Sequence, residues 1–273
     1  MLGFANAKIN LGLHILGRRD DGYHEIETIF YPVYQLRDIV EVVEASSVDI
    51  VQTGIELDIP LEKNLVHKAY KLLSEEYNLP PVMFFLHKII PFGAGLGGGS
   101  ADAAKTLELL NSYFDLGIGQ SQLADYASKL GADCAFFIYN RPMLARGIGN
   151  DLLSVDLDLS GYNIVIVKPD FTISTAEAYS LVKPVDHSLS LLDVIKYPVE
   201  HWRDYLVNDF ERFLFSPYPL LKEIKQILYE KGALYVSLSG SGSAMFAIFD
   251  RYVDITDIQD KFPFIWQSKN WEK

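Results

Sequence analysis

The chain has 273 residues, of which 49% are hydrophobic, and this is enough to form about two packed domains. It carries 24 Lys and Arg against 36 Asp and Glu, so its formal net charge is −12. Such an acidic chain is unsuited to a broad nucleic-acid surface or to an anionic membrane. The charge does not exclude one small anionic ligand that is held by local donors.

The cysteine content and the lack of long apolar stretches narrow the cellular setting. Cys134 is the single cysteine, so neither an internal disulfide nor a zinc cage of thiols can form. Residues 1–13 lack the basic region and the unbroken apolar run of a signal peptide. No apolar stretch reaches the roughly 18 residues of a membrane span. We therefore expect a soluble, cytoplasmic protein, and the sequence leaves its oligomeric state open.

The first half of the chain combines predicted strands and helices. Residues 9–15, 25–33, 39–43 and 48–52 are rich in Ile, Val and aromatic side chains and show the rough alternation of strands. Asn64 is predicted to begin a helix over residues 64–78. A strand over residues 82–90 leads into a glycine-rich loop, and two helices follow over residues 100–114 and 121–130. Gly131 is expected to stop the second of these helices.

The second half begins after a boundary that we expect near residues 154–161. A strand is predicted over residues 162–168, and Ser174 and Glu177 have the spacing of a helix capping box. An amphipathic helix over residues 219–232 precedes two strands, residues 235–239 and 244–250, which flank a tight turn at 240–243. This pattern predicts an α+β fold in two lobes, with domains at residues 1–157 and 158–273.

The glycine-rich loop in residues 91–104, PFGAGLGGGSADAA, carries the strongest functional signal. Five of the seven residues from 93 to 99 are glycine. The loop fits the dinucleotide pattern GxGxxG, but the helix after it leads to another helix rather than to a second strand. It nearly fits the P-loop pattern, but Gly99 occupies the position of the P-loop lysine.

A more general phosphate-binding mechanism fits this loop. Successive glycine N–H groups form a concave anion site, and the helix that follows adds free N–H groups and the positive end of its dipole. The alternative is a tight strand-to-helix turn that needs glycine only for packing. Five glycines are more than such a turn requires, so the sequence favours polyphosphate binding.

Four segments in the same order resemble the galactokinase, homoserine kinase, mevalonate kinase and phosphomevalonate kinase (GHMP) superfamily. They are the glycine loop and residues 7–30, 130–137 and 238–249. The DGYH segment at residues 21–24 is similar to the branch whose acceptor is a cytidine diphosphate derivative. The resemblance implies a ribosomal-protein S5 domain 2-like N-terminal domain, a ferredoxin-like C-terminal domain and an active site in the cleft between them. It also implies a small-molecule kinase that uses ATP.

Two residues match the catalytic pair of this family. Asp133 would accept the proton of the acceptor hydroxyl, and Lys8 would keep that carboxylate ionised and help to hold the transferring charge. Without the resemblance, Asp133 is more simply a turn carboxylate just after Gly131. Lys8 alone would be taken as a solvated surface charge.

Three further polar residues have candidate roles near the reacting groups. Asn10 lies two residues after Lys8 on the same strand face and would orient the acceptor hydroxyl, or else make an ordinary strand hydrogen bond. Ser100 would contact phosphate or the Mg²⁺ carried with ATP, and it is also expected to be the helix N-cap. Asp102 is expected only to favour the helix dipole, with a water-mediated metal contact as the weaker alternative.

The resemblance also assigns the two substrates. Tyr23 and His24 match the positions that recognise cytosine, and Tyr179, Thr175 and Gly240 would line the acceptor site. Most aromatic residues in the chain are expected to be ordinary packing, and Gly240 belongs to what is alternatively a simple hairpin turn. No histidine spacing indicates a metal site held by the protein. The residues predicted to bind ATP are Pro91, Phe92, Gly93, Ala94, Gly95, Leu96, Gly97, Gly98, Gly99, Ser100 and Ala101.

Two departures from the family pattern and two competing functions remain. Ala135 stands where the family usually has proline, and Asn150 stands where it usually has glutamate. The chain could be another member of the superfamily, such as a homoserine or mevalonate-type kinase, although the DGYH segment argues against this. It could also be a nucleotide-binding sensor without catalysis, but such a protein has no need of Lys8 and Asp133.

Overall fold

The computed structural model describes residues 1–56 and 59–269, which divide into two compact units that interleave along the sequence. The first unit comprises Met1–Lys8, Pro32–Phe92 and Gly97–Arg141. The second comprises Ile9–Tyr31, Gly93–Leu96 and the described part of Pro142–Lys273. The sequence predicted two domains divided once, after residue 157, whereas these units alternate along the chain. The boundary after residue 157 stays a prediction.

The elements of the described residues run in the following order. The strands are β1 (Leu2–Arg18), β2 (His24–Glu44), β3 (Asp49–Gly54), β4 (Val82–Lys88), β5 (Met143–Gly147), β6 (Asp151–Ser154), β7 (Asn163–Lys168), β8 (Tyr235–Leu238), β9 (Met245–Phe249) and β10 (Phe264–Gln267). The helices are α1 (Leu65–Tyr77), α2 (Gly98–Tyr113), α3 (Gln120–Leu130), α4 (Cys134–Tyr139), α5 (Thr175–Leu181), α6 (Leu191–Val194), α7 (Trp202–Tyr205), α8 (Phe210–Leu214), α9 (Pro219–Glu230) and α10 (Thr256–Gln259). Short 3₁₀ turns lie at Leu61–Lys63 and Val199–His201.

In the first unit, β4 lies between β3 and the C-terminal part of β2. The β3–β4 pairing is parallel, and the β2–β4 pairing is antiparallel with Val42 opposite Phe84. Helices α1 to α4 belong to the same unit. Asn64 caps α1 as predicted, because its side-chain oxygen accepts a hydrogen bond from the N–H of Val66 at 2.9 Å. The predicted helices around residues 100–114 and 121–130 are confirmed as α2 and α3.

The strand that we predicted in two pieces, residues 25–33 and 39–43, is one continuous strand, β2. Burial alternates from Leu36 onward, but Tyr34 and Gln35 are both exposed. Two exposed neighbours interrupt the period of two that identifies a strand in a sequence. The sequence pattern therefore concealed the continuity.

The second unit contains the N-terminal part of β2, which pairs antiparallel with β5, and β5 pairs with β6. A separate antiparallel sheet has the order β10-β7-β9-β8. Helix α9 contributes Leu221, Ile224 and Leu228 to the core of this unit, as expected for the amphipathic helix predicted over residues 219–232. Ser174 caps α5 by accepting from the N–H of Glu177 at 3.1 Å, as its spacing predicts.

This mixture of mainly antiparallel sheets with separate runs of helices confirms the predicted α+β class. Over the part of the chain that the structure describes, no helix combines the length and the apolar character that crossing a membrane requires.

Candidate active site

Lys8 and Asp133 form an ion pair within the first unit. Lys8 lies in β1 with a side chain only 4% exposed, and its Nζ is 3.3 Å from Oδ2 of Asp133, whose side chain is 32% exposed. Asp133 directly precedes α4, but its side chain makes no capping hydrogen bond to that helix. The carboxylate is therefore not a helix cap, and a ligand can reach it. The pairing that the resemblance implied is present, while the catalytic roles stay predictions.

The second half of the glycine loop passes close to Lys8. Gly97 has a φ of +73°, a left-handed conformation that favours glycine. A Cβ at this position would lie 2.7 Å from Cζ of Phe137 and 3.1 Å from Cγ of Lys8. Only glycine lets the backbone pass here, and α2 begins at the next residue. The free N–H groups of the first turn of α2 therefore start beside the ion pair.

The expected N-cap role of Ser100 is wrong. Helix α2 begins two residues earlier, at Gly98, and its N-cap is Gly97. Ser100 is instead within the first turn, where its side chain makes a hydrogen bond with Cys134. Burial raises the pKa of the Cys134 thiol to about 12, so this cysteine is a buried apolar group and not a nucleophile.

Asp102 has a structural role that the sequence analysis missed. Its Oδ2 accepts a hydrogen bond from Lys88 Nζ at 2.5 Å, and Lys88 Nζ also donates to Asp38 Oδ2. All three side chains are buried, and Asp38 additionally accepts from the N–H groups of Ile89 and Ile90. Burial raises the pKa of Asp102 to about 7, although the Lys88 ammonium opposes this shift. We call Asp38, Lys88 and Asp102 the buried cluster.

The first half of the glycine loop belongs to the second unit and packs on the turn after β8. A Cβ on Gly95 would lie 1.9 Å from the carbonyl oxygen of Ser239, so no other residue fits. Ser239 Oγ donates to the carbonyl oxygen of Gly95 at 2.8 Å, and the N–H of Ala244 donates to that of Ala94 at 3.1 Å. Packing thus explains part of the glycine content that we attributed to phosphate binding.

Most other side chains of the predicted ATP loop point into the protein. Pro91, Ala94, Leu96 and Ala101 are buried, so only their backbone groups can face a ligand. Phe92 and Gly99 are exposed. A Cβ on Gly99 would meet only Leu65, at an ordinary 3.6 Å, so packing does not require glycine at this position.

Asn10 and Gly240 lie next to each other in the second unit. Asn10 Nδ2 donates to Thr28 Oγ1 at 3.0 Å, which is the strand hydrogen bond that we considered as the alternative role. Its Oδ1 is 3.3 Å from the position of a Cβ on Gly240. A larger residue at position 240 would therefore press against Asn10, so glycine here is more than a hairpin residue.

The residues predicted to bind the acceptor base also belong to the second unit. The ring of His24 stacks on that of Tyr179, with centroids 4.7 Å apart and an interplanar angle of 22°. Tyr23 is 61% exposed in the turn before β2, and Thr175 is exposed at the start of α5. Tyr23 and Tyr179 lie on opposite sides of the predicted domain boundary in the sequence, and both belong to this unit.

Protonation of His24 is disfavoured at this place. Partial burial and the nearby Arg18 charge both lower the pKa of the imidazole below its ordinary value. A neutral imidazole carries one donor and one acceptor nitrogen, which suits the polar edge of a base. Among the described residues, no group of three or more His, Cys, Asp or Glu side chains is arranged to hold a metal ion.

The fold and this site correspond to one class of enzyme. The family described as "GHMP kinases N terminal domain" matches residues 64–141, and that described as "GHMP kinases C terminal" matches residues 199–267. The crystal structure of a mevalonate kinase from Methanococcus jannaschii is similar with a TM-score of 0.68, covering 98% of this chain and 97% of that one. Its sequence is only 15% identical, so it supports the fold alone. The class is the GHMP kinases.

More specific relatives are found within this class. A 4-diphosphocytidyl-2-C-methyl-D-erythritol kinase from Parabacteroides distasonis is 49% identical over 98% of this chain and 99% of its own length. A crystal structure of 4-(cytidine 5'-diphospho)-2C-methyl-D-erythritol kinase has a TM-score of 0.78 and 33% identity, covering 91% of this chain and 90% of that one. The chain therefore belongs to the family of 4-diphosphocytidyl-2-C-methyl-D-erythritol kinases.

Proposed function

We propose that the protein transfers the γ-phosphoryl group of ATP to the 2-hydroxyl of 4-diphosphocytidyl-2-C-methyl-D-erythritol, a step of the non-mevalonate route to isoprenoid precursors. The bond from the γ-phosphorus to its bridging oxygen breaks, and a bond to the acceptor oxygen forms. ADP leaves, and the hydroxyl proton passes to the protein. The observation that carries this proposal is the ion pair of Lys8 and Asp133 beside the backbone of Gly97. The names of the relatives support the choice of acceptor.

Asp133 is the group that takes the proton in this proposal. Its carboxylate is partly exposed and makes no capping hydrogen bond, so its second oxygen can face the acceptor hydroxyl. Lys8 is anchored in a strand, and its ammonium neutralises charge near the transferring group. Because its side chain is almost fully buried, that charge is held in place before the reaction begins.

The donor phosphates are assigned to the start of α2. Gly97, Gly98 and Gly99 provide backbone N–H groups, and the helix dipole adds to the attraction for an anion. Mg²⁺ that accompanies ATP would offset the phosphate charge, and it is usually bound by few protein oxygens together with the phosphates. The hydroxyl of Ser100, in the same turn as these glycines, is the protein oxygen that we assign to this role.

His24 and Tyr179 are assigned to the cytosine ring of the acceptor. Stacking on an aromatic ring contributes roughly 1–3 kcal/mol per base but does not distinguish one base from another. Recognition of cytosine must then come from hydrogen bonds, and the neutral imidazole of His24 is the candidate. Tyr23, which is exposed next to it, is the candidate for the second face of the base.

The acceptor assignment is tested with a panel of alcohols. ATP is incubated with the cytidyl diphosphate methylerythritol, homoserine or mevalonate, and product formation is followed by ³¹P NMR. We expect turnover of the cytidyl compound alone. Turnover of homoserine or mevalonate, with no turnover of the cytidyl compound, would refute the assignment of the acceptor but not the assignment as a kinase. A uridyl analogue in the same assay, compared between the native protein and His24→Ala, tests the recognition of cytosine.

A further inference from the structure

Asn208 is a buried amide whose hydrogen-bonding groups all have partners. It is only 2% exposed. Its Nδ2 donates to the carbonyl oxygens of Leu238 and Gly240, at 2.8 and 2.9 Å, and its Oδ1 accepts from the N–H of Phe210 at 3.0 Å. Both donor hydrogens are thus used on the end of β8 and on the turn that follows it. No other residue type of this size offers two donors and one acceptor in this arrangement.

The backbone around Asn208 is fixed to β1 of the same unit. The N–H of Leu13 donates to the carbonyl oxygen of Val207 at 2.9 Å, and the N–H of Asp209 donates to that of Leu13 at 2.8 Å. The carboxylate of Asp209 also accepts from the N–H of Ile15 at 2.8 Å. Since these bonds hold both neighbours of Asn208, its amide is a rigid support for the turn.

This support determines the direction of one backbone donor. In a trans peptide the C=O and the N–H point in opposite directions. Because the carbonyl of Gly240 points to Asn208, the N–H of Ser241 points away from it. Near Gly240, Oδ1 of Asn10 lies 3.3 Å from the position of a Cβ on this glycine, and Cα of Gly95 lies 3.6 Å from it.

We propose that Asn208 is a positioning residue that aims the N–H of Ser241 at the diphosphate of the acceptor. Backbone N–H groups in glycine turns are effective donors to anions when their direction is fixed. Asn208 touches no substrate in this proposal and acts only through the turn. The inference rests on the proposed function, because a diphosphate in the acceptor is what the N–H would bind.

The test compares two ligands that differ only in their phosphates, CDP and cytidine, by titration calorimetry. The native protein is expected to bind CDP more tightly. The Asn208→Asp variant keeps the shape of the side chain but cannot donate to both carbonyl oxygens when it is ionised. We expect it to lose about tenfold in affinity for CDP, the typical value of one hydrogen bond to a charged group, and little for cytidine.

Asn163 provides a matched control in the same unit. It is fully buried, and its Nδ2 donates to the carbonyl oxygen of Ser268 at 2.7 Å and to Ser268 Oγ at 3.1 Å. Asn163→Asp should lower the melting temperature to a similar extent without changing the ratio of the two affinities. Ser241→Pro, at a partly exposed turn position, removes the proposed donor directly. Ser241→Pro should reproduce the selective loss of affinity for CDP even if Asn208→Asp does not fold.

The outcomes separate this inference from the proposed function. Equal losses of CDP and cytidine in Asn208→Asp or Ser241→Pro would overturn the positioning role. Equal affinity of the native protein for the two ligands would overturn it as well. The variants could lose affinity for CDP selectively while the native protein fails to phosphorylate the cytidyl acceptor. That result would support the role of Asn208 and refute the proposed reaction.

Discussion

The first unit contains two groups of lysine and aspartate that differ in their access to solvent. In one, Lys8 meets the single carboxylate of Asp133, which is about one third exposed. In the other, Lys88 lies between Asp38 and Asp102, and all three side chains are sealed from solvent. The same residue types therefore support different tasks, because a proton acceptor must be reached by a ligand and a structural anchor need not be.

The buried cluster connects the elements on both sides of the glycine loop. Asp38 lies in β2, Lys88 ends β4 and Asp102 lies in the second turn of α2. A Cβ on Gly98 would be 3.4 Å from Lys88 Nζ, just as one on Gly97 would be 3.1 Å from Lys8 Cγ. The loop thus passes over both lysines, one of which we assign to the reaction and the other to the stability of the loop.

The largest expected effect comes from making the same substitution in both groups. Asp133→Asn should lower kcat by about 10²–10⁴-fold, the usual contribution of a positioned general base. The melting temperature should change little, because the carboxylate is partly exposed and an amide oxygen can still accept from Lys8. Steady-state kinetics give kcat and thermal unfolding gives the melting temperature, for Asp133→Asn and for Asp102→Asn.

Asp102→Asn is the matched control for this prediction. It leaves Lys88 with the one carboxylate of Asp38, so kcat should stay within a few-fold of the native value. Full activity in Asp133→Asn, or a collapse of kcat in a folded Asp102→Asn protein, would reverse the assignment of the two groups.

The second prediction concerns the two lysines. Lys88→Met removes the cation and leaves two buried carboxyl groups, and breaking a buried pair in this way typically costs about 3–5 kcal/mol of unfolding free energy. Lys8→Met should lower kcat, but it should cost less unfolding free energy than Lys88→Met, because its partner Asp133 remains in contact with water. Chemical denaturation gives the free energies. The comparison fails if Lys8→Met proves to be the more destabilising change.

Much of the fold could be predicted from the sequence, because helix caps and apolar helix faces are patterns of residues close together in the chain. Asn64 and Ser174 cap the helices that their spacing predicts, and the apolar face of α9 is the one that packs. The short helices α6, α7 and α8 have four or five residues each. Such segments are too short to show a period of 3.6 residues, which is why the sequence analysis missed them.

The site was only partly accessible, because its contacts join residues distant in the chain. Lys8 and Asp133 are 125 positions apart, and only the family resemblance suggested their pairing. Lys88 and Asp38 carried no motif, and a charged residue is by default assigned to the surface. The signal for Asn208 was faint, namely two polar residues within the otherwise apolar and aromatic segment YLVNDF.

A third and smaller effect should appear in the pH dependence of stability. The pKa of Asp102 is about 7 in the folded protein and near 4 when unfolded, so the folded state holds a proton that the unfolded state releases between these values. This contribution is complete below pH 4 and is lost as the pH rises towards 7. The unfolding free energy of the native protein minus that of Asp102→Asn should therefore fall as the pH rises across that window. A flat difference would mean that Asp102 is ionised throughout.

The smallest expected effect distinguishes glycines that the fold needs from those that a ligand needs. Gly99 is exposed, has no positive φ and has room for a methyl group, so Gly99→Ala should stabilise α2 by up to about 1 kcal/mol, the difference in helix propensity. The same methyl group would face the proposed phosphate site and should weaken ATP binding. Gly97→Ala should instead lower the melting temperature, because its φ is positive and its Cβ would collide with Phe137. Calorimetric titration with ATP and thermal unfolding of both variants separate the two effects. If Gly99→Ala binds ATP as tightly as the native protein, the phosphates do not approach this turn, and glycine there has no role in the ligand site.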